Sequence, residues 1–234
     1  MQHKFRIKHI TPAWSAPSNI KAITTLRNQN IASLNDNQYM DNTKAELADI
    51  IPKPVTWLRQ THSNNCIIAE DQSGLPHADA AISFNSKAAC CVVTADCVPI
   101  ILTDASATFV AAIHAGWRGI ASGVIEQTLS KIKAKNIMAW IGPCICNNCY
   151  AVTNELEQLF TTKDLVFSSC FNQNINQKTT FDLKKACKLI LRKHSTTQIY
   201  ETAFCTACDN DLFFSARKES IACGRIITCI WKDD

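Results

Sequence analysis

Residues 94–119 contain two signatures, Thr94-Ala-Asp-Cys-Val-Pro99 and His114-Ala-Gly-Trp-Arg-Gly119, which are separated by apolar segments. Apolar runs of four to eight residues that are bounded by turn residues are typical of buried β-strands. We therefore expect strands that end at Cys97 and at His114. This arrangement would bring the thiol and the imidazole to the same edge of one sheet.

A third apolar segment lies upstream, where Trp57-Leu-Arg-Gln-Thr-His62 ends in another histidine. Together with Cys97 and His114, His62 completes a candidate ligand set of one thiolate and two imidazoles. Such a set suits Zn²⁺ and leaves a fourth position for water or substrate. With two neutral imidazoles and one thiolate, bound Zn²⁺ keeps a formal charge of +1, so it can still polarise an oxygen atom or acidify water.

The composition is that of an ordinary globular protein. The chain has 234 residues, of which 47% are hydrophobic and 19% charged, and its net charge is +4. No basic stripe indicates a nucleic-acid partner, and no apolar stretch approaches the roughly 20 residues of a membrane helix. Residues 1–8 lack the apolar core of a secretory signal. We therefore expect a cytoplasmic protein whose thirteen cysteines are reduced thiols.

Periodicity predicts one α+β domain that covers residues 1–234. The run at residues 88–93 is apolar on both faces, which is typical of a strand in a sheet covered on each side. Apolar spacing over residues 120–132 predicts an amphipathic helix of about four turns. The remaining predicted strands cover residues 20–27, 63–69, 78–82, 136–141, 198–204, 212–216 and 225–231, and the remaining helices cover residues 43–51, 154–160 and 183–193.

The two signatures resemble those of the bacterial laccase-domain family, and so does Gln60-Thr-His62. Members of this family have been called multicopper polyphenol oxidases and, more recently, purine nucleoside phosphorylases. Ile141-Gly-Pro143 and the block from Cys205 to Arg217 are also similar to family segments. The resemblance implies two mixed β-sheets stacked between helices, in a four-layer α/β/β/α arrangement.

The resemblance also implies an activity and a ligand set. Zinc would be held by His62, Cys97 and His114, which would form the catalytic centre. The reactions would be phosphorolysis of adenosine, inosine and methylthioadenosine, and deamination of adenosine. The partners would then be a small purine nucleoside and phosphate, with no nucleic acid and no membrane.

Three further residues are candidates near this centre. A helix that begins after His114 would direct N–H groups at an anion, and Arg118 could bind that anion with two hydrogen bonds or pack on Trp117. Arg217 is a second candidate for substrate or anion binding. Asp96 is a candidate catalytic or metal-supporting carboxylate, although it could also accept hydrogen bonds from turn N–H groups.

The same residues are compatible with three other functions. One cysteine and two histidines also match a blue-copper site, but multicopper oxidases need many histidines, and this chain has six. Alternatively, Cys97 could be the nucleophile of an amidase that edits peptidoglycan precursors, with His114 or His62 as its base. A metal-binding protein without catalytic activity is the fourth hypothesis.

The sequence also contains two Cys-x-x-Cys pairs, Cys146 with Cys149 and Cys205 with Cys208. Each pair has the spacing of half a structural zinc site. A second metal site is one interpretation of these pairs, and packed free thiols are the preferred one.

Overall fold

Two large β-sheets form the centre of the protein, whose computed structural model describes residues 7–27, 37–173, 176–194, 196 and 198–233. The described strands are β1 His9–Ile10, β2 Ile20–Thr25, β3 Val55–Thr56, β4 Cys66–Ile68, β5 Ala80–Ser83, β6 Ala89–Thr94, β7 Val98–Asp104, β8 Val110–Ala115, β9 Ile137–Ile141, β10 Phe171–Gln173, β11 Thr179–Phe181, β12 Gln198–Glu201 and β13 Ile226–Lys232. One sheet has the order β1-β2-β13-β6-β3, and the other has the order β12-β9-β7-β8-β5-β4. Strands β10 and β11 pair separately.

The described helices are α1 Asn37–Ala48, α2 Trp117–Ser122, α3 Val124–Ser130, α4 Asn154–Lys163 and α5 Leu183–Lys193. The longest of these, α1, has 12 residues. None of the helices in the described part of the chain has the length and apolar character needed to cross a bilayer.

The two sheets pack face to face through alternate residues of their strands. Cys90 and Val92 of β6 point towards the second sheet, where they share a buried cluster with Ile101 of β7 and Ala112 of β8. Because successive side chains in a strand point to opposite faces, the intervening residues face away from this interface.

Helices cover the outer face of each sheet. Ile100 of β7 packs with Ile125 of α3 and Ile190 of α5, whereas Cys91 of β6 packs with Leu47 of α1. The layers are therefore helix, sheet, sheet and helices, which confirms the predicted α+β fold of two mixed sheets between helices. The run at residues 88–93 is buried on both faces, as expected.

The predicted strand over residues 212–216 is wrong. The backbone N–H groups of Leu212 and Phe213 both donate to the carbonyl oxygen of Asp209, so the chain turns here. Phe213 and Phe214 are buried in a small satellite cluster instead of a sheet. The apolar character of the segment reflects this burial under a loop and not strand pairing.

The predicted four-turn helix over residues 120–132 is interrupted. Gly123 has a φ of +90°, which is in the left-handed region, and it separates α2 from α3. Glycine adopts this conformation without the steric cost that a side chain would add. The helix that follows His114 is therefore only six residues long, so its dipole is weaker than a four-turn helix would provide.

Candidate metal centre

The pairing of β7 with β8 brings Cys97 and His114 together. The two strands are antiparallel, and Pro99 at the start of β7 pairs with His114 near the end of β8. Cys97 lies in the turn between β6 and β7, one residue before β7, and not at the end of a strand as predicted. Both side chains nevertheless lie at the same edge of the six-stranded sheet.

The loop that carries His62 is anchored to the end of β6 by Gln60. The side-chain amide of Gln60 donates to the carbonyl oxygen of Val93 at 2.8 Å and accepts from the N–H of Val93, also at 2.8 Å. This pair of bonds imitates a neighbouring strand and fixes the position of the loop. His62 itself has a φ of 60°, an uncommon backbone conformation for a non-glycine residue.

The three side chains offer ligand atoms that all lie within 4.8 Å of one another. The Cys97 sulfur is 3.7 Å from Nε2 of His62, and the rings of His62 and His114 meet at 72° with their centroids 4.7 Å apart. Zn–S and Zn–N bonds of ordinary length at tetrahedral angles place sulfur and nitrogen about 3.6 Å apart. The donor set and its spacing therefore fit a zinc ion.

Asp79 organises both histidines, although sequence reasoning did not identify it. Its carboxylate accepts from Nδ1 of His114 at 2.8 Å, which leaves Nε2 of His114 to face a metal ion. The same carboxylate accepts from the backbone N–H groups of Thr61, His62 and Ser63 and from the Ser63 hydroxyl. A carboxylate behind a metal-binding histidine fixes its tautomer and orientation.

Asp79, Cys97 and His114 stabilise the charged forms of one another. Burial alone would raise the pKa of Asp79, but its hydrogen bonds from His114 and Ser63 lower the pKa to about 2. Burial opposes charge on Cys97 as well, but His114 and His62 lower the pKa of this thiol to about 6. Against burial, Cys97 and Asp79 raise the pKa of His114 to about 9. The geometry therefore favours a thiolate beside an imidazolium.

Gly116, the N-cap of α2, packs directly against His62 and Cys97. A Cβ atom at this position would lie 2.7 Å from Cδ2 of His62 and 3.0 Å from the Cys97 sulfur. Its backbone φ of −76° is accessible to any residue, so only the crowding distinguishes glycine from alanine here.

We expect Gly116→Ala to weaken zinc binding by roughly tenfold to a hundredfold, the range typical of disturbed ligand positioning. Competition with a chelating dye would measure this affinity. Gly74→Ala is the control, since nothing lies within 4 Å of an added Cβ there and its φ of +74° affects only local stability. Unchanged affinity in Gly116→Ala would contradict the assigned ligand positions.

Asp96 holds a loop of the C-terminal region. Its carboxylate accepts from the hydroxyl of Thr206 and from the backbone N–H of Arg217, both at 2.6 Å. The φ of Asp96 is 86°, and its carbonyl oxygen accepts from the N–H of Ile145 at 3.0 Å. These contacts favour its predicted alternative role of binding turn N–H groups, in this case next to Cys97.

The two candidate arginines are exposed and stack on aromatic rings. The guanidinium carbon of Arg118 lies 4.4 Å from the Trp117 ring centroid, and that of Arg217 lies 4.9 Å from the Tyr150 ring centroid. Arg217 also donates to the carbonyl oxygen of Ala151 at 2.8 Å. Stacking leaves the N–H edges of a guanidinium available to an anion.

Tyr150 is a further residue of this region that sequence reasoning did not assign. Burial and the negative Cys97 raise the pKa of its phenol to about 12, while Arg217 and Arg118 oppose this rise. The phenol is therefore protonated at neutral pH and can donate a hydrogen bond. Its position in the segment after Pro143 gave no signal of a functional role, because a partly buried tyrosine is equally typical of a core.

Proteins with similar sequences are named as purine nucleoside phosphorylases or as an adenosine deaminase. A purine nucleoside phosphorylase of Pseudomonas aeruginosa is 30% identical over 96% of this chain and 98% of its own length. A purine nucleoside phosphorylase of Escherichia coli is 31% identical over the same shares. An adenosine deaminase from an unknown prokaryotic organism is 33% identical over 74% of this chain and 73% of its own length.

The fold and the family are shown by two further matches. The crystal structure of a Neisseria meningitidis protein superimposes with a TM-score of 0.90 and 31% identity, over 97% of this chain and all of that chain. A family model described as multi-copper polyphenol oxidoreductase laccase matches residues 27–233. The chain belongs to this laccase-like family.

Proposed function

We propose that the protein is a zinc-dependent purine nucleoside phosphorylase that also deaminates adenosine. The observation that carries this proposal is the convergence of His62, Cys97 and His114 on one point, in a family whose named relatives include both enzymes. Adenosine, inosine and methylthioadenosine are the proposed substrates, with phosphate as co-substrate. We further propose that residues 1–234 form one catalytic domain that works in the cytoplasm.

The three ligands would hold the metal ion, and the surrounding residues would bind and orient the substrates. When bound, zinc supplies a Lewis acid that polarises an oxygen atom or lowers the pKa of water. Asp79 keeps Nδ1 of His114 occupied, so that the imidazole presents Nε2. Copper would accept the same donor set, and elemental analysis of the purified protein distinguishes the two metals.

The direct test is product analysis with purified, metal-loaded protein. Inosine and phosphate should yield hypoxanthine and ribose 1-phosphate, and adenosine should yield inosine when phosphate is omitted. Both reactions should proceed without oxygen. Absence of nucleoside turnover, with oxygen-dependent oxidation of phenols instead, would overturn the proposal and favour copper oxidase chemistry.

Arg118→Ala is expected to separate the two activities. Arg118 is exposed at the start of α2 and stacks on Trp117, so we propose that its N–H groups bind phosphate. Loss of this charged contact should cost about 2 kcal/mol, or roughly thirtyfold in kcat/KM for phosphate. Deamination needs no phosphate and should change much less.

Steady-state assays of both reactions would measure this difference. Arg192→Ala, which removes an arginine from the last turn of α5, is the matched control and should leave both rates unchanged. Equal losses of phosphorolysis and deamination in Arg118→Ala would assign Arg118 a structural role. The same comparison with Arg217→Ala tests the second candidate arginine.

A second candidate function is favoured by one specific observation. Cys97, His114 and Asp79 are arranged as a nucleophile, a base and a carboxylate that orients the base. The two histidines lower the pKa of Cys97 to about 6, against the effect of burial. This is the arrangement of a cysteine amidase. An amidase would turn over amide substrates after metal removal, whereas the proposed zinc enzyme would lose activity with its metal.

A further inference from the structure

The fold brings together the two Cys-x-x-Cys pairs, which lie 59 residues apart in the sequence. In the segment that follows β9, Cys146 is the N-cap of the 3₁₀ turn Asn147–Cys149, and Cys149 is its last residue. Cys205 and Cys208 lie in the turn that follows β12. Strands β9 and β12 are parallel neighbours, so the segments beyond their carboxyl ends meet at one edge of the sheet. The backbones touch there, because the N–H of Thr206 donates to the carbonyl oxygen of Cys144 at 3.1 Å.

The four sulfur atoms form a compact cluster. All of them lie within 4.8 Å of one another, and those of Cys149 and Cys208 are 3.5 Å apart. In a closed tetrahedral zinc–thiolate site, adjacent sulfur atoms are about 3.8 Å apart. Small side-chain rotations would therefore bring all four sulfur atoms to bonding distance of one central ion.

Backbone N–H groups point at one of these sulfur atoms. Cys205 accepts from the N–H of Cys146 at 3.2 Å and from the N–H of Cys208 at 3.4 Å. Donors directed at sulfur stabilise its negatively charged form, which is the form that binds metal. The preferred interpretation of these cysteines as packed free thiols fits poorly, since Cys208 is exposed and Cys146 and Cys149 are only partly buried.

The chemistry of this cluster differs from that of the first centre. Four thiolates fill every position of a tetrahedral ion, so no position remains for substrate, whereas His62, Cys97 and His114 leave one open. The cluster is also connected to the first centre by hydrogen bonds. Thr206, between Cys205 and Cys208, donates to the carboxylate of Asp96, the residue before Cys97.

We propose that Cys146, Cys149, Cys205 and Cys208 bind a second Zn²⁺ as a closed structural site. Each thiol that is still protonated releases its proton when the metal binds. The ion clamps the segment after β9 to the turn after β12. Through Thr206 and Asp96, this clamp steadies the turn that carries Cys97.

The test is the zinc content of purified, full-length variants, measured by elemental analysis. We expect about two zinc ions per chain in the wild type, and about one in Cys208→Ser, because serine does not supply a thiolate at neutral pH. Cys97→Ser should also retain about one, and the double variant should retain almost none. Cys66→Ser is the control, since Cys66 belongs to neither cluster, and it should match the wild type.

Cobalt substitution provides a second measurement that identifies the ligands. The thiolate-to-cobalt charge-transfer absorption should fall much more in Cys208→Ser than in Cys97→Ser, because four thiolates lie in one site and one in the other. Cys208 is exposed, so its replacement is compatible with folding, which circular dichroism would verify. Unchanged zinc content in Cys208→Ser would overturn the proposal. So would a Cys149–Cys208 disulfide in the freshly purified wild-type protein, detected by thiol alkylation and mass spectrometry.

Discussion

Cys97→Ser is expected to remove one zinc ion per chain and to abolish both phosphorolysis and deamination. Serine does not provide a thiolate at neutral pH, and the remaining two imidazoles hold zinc weakly. Metal-ion stabilisation of a transition state is worth several kcal/mol, so kcat/KM should fall on the order of a thousandfold or more for each reaction. Elemental analysis and the two product assays, performed on the same preparation, would measure both effects.

His114→Ala should reproduce the loss, because it removes a second ligand of the same ion. Cys66→Ser is the matched thiol control: Cys66 is partly buried in β4 but contributes to neither group of candidate ligands, so its replacement should leave zinc and turnover intact. Full zinc content and full activity in Cys97→Ser would refute the assignment of this centre.

Among the substitutions proposed for this protein, Asp79→Ala is expected to produce the largest decrease in the free energy of unfolding. The carboxylate is completely buried and accepts hydrogen bonds from His114, from three successive backbone N–H groups and from the Ser63 hydroxyl. Its removal leaves the buried His114 imidazole and several partly buried donors without this acceptor, which should cost about 3–5 kcal/mol in the free energy of unfolding. Zinc affinity should fall in parallel, since His114 loses its orienting partner.

Chemical denaturation of the metal-free variants would measure the stability, and dye competition would measure the affinity. Asp104→Asn is the control. Asp104 is also buried and bonds Thr108 twice, but it lies at the far end of β7. Asp104→Asn should lower the free energy of unfolding without lowering the affinity for zinc. An Asp79→Ala protein with the stability of the wild type would contradict the role of Asp79.

Without bound metal, the free energy of unfolding should depend on pH because of the lowered pKa of Asp79. The pKa of Asp79 falls from 3.8 to about 2 on folding, so the unfolded chain binds this proton more tightly than the folded protein does. The resulting stabilisation, about 2 kcal/mol, is fully present above pH 4 and is lost as the pH falls towards 2. Asp79→Asn should remove this part of the acid sensitivity.

The sequence was sufficient to select three candidate ligands, His62, Cys97 and His114, whose ligand atoms the structure places within 4.8 Å of one another. Cys97 and His114 lie at the boundaries of apolar runs that pair as antiparallel strands, although Cys97 precedes β7 instead of ending a strand. The layer order was implied by the family resemblance. The break at Gly123 was not predicted, because its neighbours keep a helical apolar spacing. The apolar residues around Phe213 were mistaken for a strand, since a satellite cluster and a strand bury similar side chains.

The residues that the sequence did not reveal depend on tertiary structure. Asp79 stands in an alanine-rich run, and its partners come from a loop 16–18 residues earlier and from β8, 35 residues later. A charged residue inside an apolar run was the available signal, because a buried carboxylate needs partners. The two Cys-x-x-Cys pairs were visible separately, but only the parallel pairing of β9 with β12 brings them to one place.

The central position of β13 has a consequence for how the nascent protein matures. This strand lies between β2 and β6, so a segment made near the start of the chain and one made in its middle are joined by one made much later. While residues 226–232 are still within the ribosome, β2 and β6 expose unpaired edges, and such edges invite association with other chains. The turn that carries Cys97 gains its full support only after the strand before it is paired. Since Ile226 pairs with Thr94, three residues before Cys97, we expect the candidate metal centre to take its final geometry only after this pairing, which joins distant segments and is therefore slow.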